Sequence, residues 1–165
     1  MKKLILLALA LVCLLFFSCR KDDERDAFAG TFYGNLSVKG TKVVDGGDPQ
    51  PVTQTNTGYF NIVKEGNKGN KVTIKIVGFD YGSLTGSVEG NTLTVDPLHT
   101  TVEETTKIAE KTIEVDLTFA PATIADGHLT LNGALHTRTT TVSGSPSVTS
   151  VEVINSAVLI DADKL

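Results

Sequence analysis

From Thr31 onward, apolar and polar residues alternate with a period of two. Val72, Ile74 and Ile76 alternate with Thr73 and Lys75, and Ile113, Val115, Leu117 and Phe119 with Glu114, Asp116 and Thr118. Leu129, Leu131 and Leu135 continue the pattern against Thr130, Asn132 and Ala134, with Gly133 in place of a fourth large side chain. Successive strand side chains point to opposite faces, so the pattern predicts strands with one buried face and one facing water or a cavity. The 22 Thr residues after position 18 suit exposed strand faces, where β-branched side chains pack well.

Turn residues cut this pattern into short runs. Asp45-Gly46-Gly47-Asp48-Pro49 separates a strand near Phe32–Val43 from one near Val52–Val63. Glu65-Gly66-Asn67-Lys68-Gly69-Asn70 leads into Lys71–Val77, and Gly90-Asn91 joins Leu84–Val88 to Thr92–Val95 as a two-residue hairpin turn does. Asp96-Pro97, Asp126-Gly127 and Ser143-Gly144-Ser145-Pro146 mark further ends. Between Val102 and Lys111 the charges fit a weak amphipathic turn, but Thr100, Thr101, Thr105 and Thr106 favour strand or loop. Apolar parity changes near Asn155, which predicts a bulge or a strand buried on both faces.

Eight or nine strands with short links predict antiparallel neighbours in one all-β domain. They close as a meander barrel of about eight strands or stack as a β-sandwich, and periodicity does not separate the two.

The first residues are of another kind. Met1-Lys2-Lys3 precedes 14 consecutive apolar residues, Leu4 to Phe17. As a helix this run reaches about 21 Å, short of the roughly 20 residues a bilayer span needs, so it reads as a secretory signal segment over 1–18. Leu15-Phe16-Phe17-Ser18-Cys19 resembles the lipobox of bacterial lipoproteins, although Phe16 stands where that family most often has Leu. The resemblance implies a diacylglycerol on the Cys19 thiol, cleavage before it, and a membrane partner reached through the lipid. Cys13 then leaves with the signal, and no free thiol remains. Lys21-Asp22-Asp23-Glu24, within the charge run 20–26, resembles the acidic export signal of Bacteroidetes surface lipoproteins. It implies an outer-membrane protein facing the cell exterior, with residues 19–27 as a lipidated acidic tether. Read from charge alone, the same run is a solvated linker.

Phe28-Ala29-Gly30-Thr31-Phe32-Tyr33-Gly34-Asn35-Leu36-Ser37-Val38 resembles the opening strand of the calycin-like β-barrel lipoproteins of Bacteroidaceae. Gly86 to Val95 and Asp126 to Gly133 are similar to the Gly-punctuated hairpins of that family. The resemblance covers about residues 28–165 and implies a lipocalin-like barrel. Gly30-Thr31-Phe32 stands where true lipocalins have Gly-x-Trp, which leaves the barrel floor without its usual plug.

Composition limits the functions open to such a domain. The 165 residues carry a formal charge of −4, which becomes −6 once Lys2 and Lys3 leave with residues 1–18. An acidic surface does not suit nucleic acid. Two Cys cannot frame a disulfide scaffold.

No catalytic or cofactor constellation stands out. His128 and His136 share strand parity but lie about 27 Å apart along a strand, and His99 follows Pro97 in an expected turn, so no metal or cofactor site is expected. Gly-x-Ser-x-Gly and phosphate-loop motifs are absent. Glu103 and Glu104 point to opposite strand faces, while Asp161 and Asp163 read as solvated groups at a frayed C-terminus.

Aromatic side chains are the remaining lead. Alternation sends one of Phe32 and Tyr33 outward or into a cavity, and Phe79, Asp80 and Tyr81 lie between Gly78 and Gly82. Tyr33, Phe79 and Tyr81 are therefore the candidate ligand contacts, suited to a sugar or an apolar molecule. The expected function is non-catalytic binding of a small apolar ligand, peptide or glycan. The alternative is a filled barrel that contacts another envelope protein, with an enzyme third.

Overall fold

The computed structural model describes residues 23–67, 69–77, 82–144 and 147–165. Cys19, Lys21, Asp22, Phe79 and Tyr81 lie outside the described residues.

The domain is all-β and antiparallel. After a 3₁₀ turn at Glu24–Asp26 come β1 (Gly30–Val44), β2 (Gln50–Lys64), β3 (Lys71–Ile76), β4 (Leu84–Glu89) and β5 (Thr92–Val95). There follow β6 (Leu98–Thr105), β7 (Ala109–Phe119), β8 (Ile124–Ala125), β9 (His128–Ser143) and β10 (Val148–Lys164). They form one sheet in the order β5-β4-β3-β2-β1-β10-β9-β7-β6, with β8 also on β9.

Ten strands occupy eight positions. β5 and β6 are one run broken at Asp96-Pro97, because Asp96 N–H still donates to Thr85 O on the β4 side before the chain moves to β7. β7 and β8 are likewise one run beside β9. Ala120 N–H continues the ladder to Asn132 O, and beyond Pro121 the register slips by one residue. At that irregularity Ala122 turns to β5 and exchanges both backbone hydrogen bonds with Leu93, at 2.7 and 2.9 Å. One bridge thus joins the two sides of the curled sheet and closes it as a barrel at the end where β1 begins.

The core fills that closed end. Phe28, Phe32, Phe60, Ile62, Val72, Ile74, Leu84, Leu93, Leu129, Leu131 and Ile160 are all buried there. The alternation read from the sequence is the alternation of burial: Phe32 points in and Tyr33 out, and Val158, Ile160 and Ala162 point in between exposed neighbours.

The strand-or-loop reading of 102–111 holds: the stretch is the β6–β7 hairpin, turned by Thr106, whose hydroxyl bonds Ala109. Two expectations are corrected. Asn155 marks no bulge: β10 keeps unbroken register with β1 from Lys42↔Ile154 to Phe32↔Lys164, and with β9 throughout. Its apolar residues on both faces reflect Leu159, which is left exposed on the convex side. The C-terminus is not frayed, since Asp161 and Asp163 sit in β10, hydrogen-bonded between β1 and β9 at the middle of the sheet.

The barrel floor is plugged without a Trp. Arg25 is only 1% exposed. It donates to both carboxylate oxygens of Asp23 and, through Nη1, to the carbonyls of Glu65, Gly66 and Lys71. Lys64 pairs with Asp23 and Asp26, and Gly90 N–H donates to Glu24 at 2.7 Å. Charge alone reads residues 23–26 as solvated linker, but they pack under the barrel because Arg25 finds there the acceptors a guanidinium requires.

Candidate functional site

Strand length opens a site at the other end. β1, β2, β9 and β10 run 15 to 17 residues, whereas β3 and β4 have only six each. Beyond Tyr59, whose carbonyl accepts from Val77 N–H, β2 has no second neighbour among the described residues, nor does β6 on the side away from β7. The far half is therefore a trough missing two strand positions, a gap of about 10 Å in the wall.

The trough has a volume of about 410 Å³. Its floor is apolar: Leu36 and Val38 from β1, Val158 and Ile154 from β10, Leu135 from β9, and Ile113 and Leu117 from β7. Val52, Gln54 and Asn56 line the β2 wall, and Val102, Glu104 and Lys111 the opposite wall, where Lys111 pairs with Glu104 at 3.5 Å. Ser156 belongs to the same inward row as Ile154 and Val158. Its buried hydroxyl has no hydrogen-bond partner in the protein.

Tyr33 does not line this trough. It lies on the convex face beside Tyr59, its register partner, with ring centroids 5.0 Å apart and planes tilted by 53°. Both rings are nearly half exposed. Glu103 and Glu104 do point to opposite faces, and Glu104 enters the trough.

The histidines are strand residues on the convex face. His99 is in β6, not in a turn, and bonds Asp116 across the hairpin. His128 is held between Asp163, 2.8 Å from Nδ1, and Asp161, 2.7 Å from Nε2. The hydrogen bond His128 donates to Asp163, helped by both carboxylate charges, raises the His128 pKa against a smaller opposing effect of burial. His99 is raised mainly by its hydrogen bond to Asp116. Strand parity could not show the His128 cluster, because Asp161 and Asp163 are more than 30 residues away and meet His128 only through β9–β10 register. No group of three or more His, Cys, Asp or Glu among the described residues is arranged to hold a metal ion. None of the described helices is long and apolar enough to cross a membrane.

The chain matches no family model and no curated protein. Among solved structures it is similar to a multidomain protein of Bacteroides ovatus that includes DUF1735, at 8% identity and a TM-score of 0.28, over 81% of this chain and 49% of that one. A second Bacteroides ovatus structure, titled as of unknown function, matches at 11% identity and a TM-score of 0.27, over 81% of this chain and 47% of the other. The chain spans about half the length of the solved structures it matches.

Proposed function

We propose that this protein is a lipid-anchored envelope protein facing the cell exterior, and a non-catalytic module that binds its ligand in the trough. The observation that carries the binding reading is the open, apolar-floored cavity of about 410 Å³. Pockets of that size, mostly apolar with few polar groups, suit small ligands or a segment of a larger one. The alternation and the core supply the rigid walls; the two short strands leave the opening.

The anchor reading rests on the lipobox resemblance at Cys19 and fits the placement of the chain. Asp23 lies at the closed end, so three residues separate Cys19 from it, and the four steps between them reach at most about 14 Å. Lipid on Cys19 would hold that floor at the membrane and aim the trough away from it. The export reading of Lys21-Asp22-Asp23-Glu24 supplies the exterior location.

Two measurements test this. Membrane fractionation of Cys19→Ala should move the protein to the soluble fraction, and a variant that stays membrane-bound refutes the anchor. Native mass spectrometry of the full chain from detergent, after exposure to host lysate, should show a discrete adduct that denaturation removes. An unliganded mass with a trough that also excludes an apolar dye refutes the binding reading.

A further inference from the structure

We propose that the free edge of β2 receives an extended polypeptide segment as an added strand, with its alternate side chains entering the trough. This deepens the binding reading and depends on it.

Backbone parity sets the edge. Tyr59 O accepts from Val77 N–H at 3.1 Å, and Glu65 N–H donates to Lys71 O, so odd-numbered residues of β2 turn their backbone groups away from β1. In an antiparallel ladder that orientation alternates strictly along the strand. Thr53, Thr55 and Thr57 therefore present N–H and C=O groups to the gap, with no partner among the described residues. Pro51 has the same parity, the position where a missing N–H leaves the β1 ladder intact.

Nothing defends this edge by charge. No charged residue occurs from Gln50 to Val63, whereas the β6 edge carries His99 and Glu103. Soluble proteins commonly guard open edges with charges, Pro, bulges or cover; Pro51 guards only the start of this edge, and the stretch from Thr53 to Thr57 carries none of these and is a template for another strand. The gap is two strand positions wide, so one added strand clears β6 and continues the line of β3. Its inward side chains would meet Val52, Asn56 and the floor of Leu36 and Val38.

This chemistry selects the occupant. An acyl chain brings no partners for the donors and acceptors of the edge. Sugar rings would find one aromatic side chain, Phe119, among the described residues that line the trough. An extended backbone of about seven residues, alternately apolar, satisfies both edge and floor.

The test is selection of random twelve-residue peptides displayed on phage against the full chain in detergent, with 1-anilinonaphthalene-8-sulfonate as an independent probe of the trough. Selected peptides should share period-two apolar spacing and bind at least tenfold more weakly to Thr53→Pro and Thr55→Pro, with Thr101→Pro on the β6 edge unchanged. N-methylating one set of alternate peptide residues should abolish binding and the other set should not, which tests edge pairing without altering the protein's fold. Peptides lacking the spacing, or indifferent to N-methylation, overturn the proposal. Dye binding with no peptide selected overturns strand addition but leaves the trough a binding site. Failure of both probes overturns the binding reading itself.

Discussion

Arg25 donates a 2.9 Å hydrogen bond to the carbonyl oxygen of Glu65, forty residues along the chain, and so ties the first turn to the loop between β2 and β3. Replacing Arg25 by Ala leaves the Glu65 carbonyl and the Asp23 carboxylate without this donor. Arg25→Ala should lower Tm clearly more than Lys64→Ala, whose side chain is 29% exposed, as read by thermal unfolding in circular dichroism. Asp23 is held well below the usual carboxylate range, chiefly by its hydrogen bond to Arg25. A depressed carboxylate stabilises above its unfolded pKa of 3.8 and loses that contribution as pH falls toward its folded value. The Tm difference between wild type and Asp23→Asn should therefore shrink as pH drops below about 3.8.

His128 gives the opposite sign. Its pKa is raised above 6.5 by Asp163 first and Asp161 second. Its contribution to stability is complete below about pH 6.5 and fades as pH rises through the raised folded value. In an NMR titration the His128 ring should titrate above 6.5, and Asp163→Asn should bring it back toward that value while His99 stays raised by Asp116.

Two glycines separate close approach from open space. A Cβ on Gly34 would lie 2.1 Å from Asp161 O and 2.4 Å from the Ala162 Cα, so β1 could not keep its ladder with β10. Gly34→Ala should cost about 3 kcal/mol in urea unfolding. Gly58→Ala, whose nearest neighbour among the described residues would be Val77 O at 4.0 Å, should stay within about 0.5 kcal/mol of wild type.

The closing bridge is equally testable. Ala122→Pro removes the N–H that donates to Leu93 O at 2.9 Å. The β5 amides should then lose hydrogen-exchange protection by about tenfold or more, with those of the β1–β10 seam far less affected.

The β architecture was legible because period-two alternation carries through most strands, and the Gly90-Asn91 and Asp45–Pro49 turns fall where their residues place them. The trough was not legible, because it comes from a mismatch of length between β2 and its short neighbour β3, a property of pairing rather than of either segment. Arg25 was hidden for another reason. Within Asp23-Glu24-Arg25-Asp26 it looks like any solvated charge, and its burial depends on carbonyls 40 to 46 residues away. Of the aromatic leads, Tyr33 could be sent outward by parity, but its partner Tyr59 follows only from β1–β2 register. Asn155 misled because apolar residues on both strand faces mimic a parity break.

β1 pairs with β10 over 13 residues, from Phe32↔Lys164 to Val44↔Glu152. The seam at the middle of the sheet therefore joins the earliest strand to the last. During synthesis β1 waits for more than a hundred residues before its second neighbour exists, so the barrel's assembly is late and governed by distant contacts. A ribosome-bound chain that lacks Val148–Lys164 has no ladder to hold β1 to β9, and its two groups of paired strands, β1 to β5 and β6 to β9, should stay unjoined along that seam. The topology itself thus acts as a timer, holding back the join between the two halves of the sheet until the final strand has emerged.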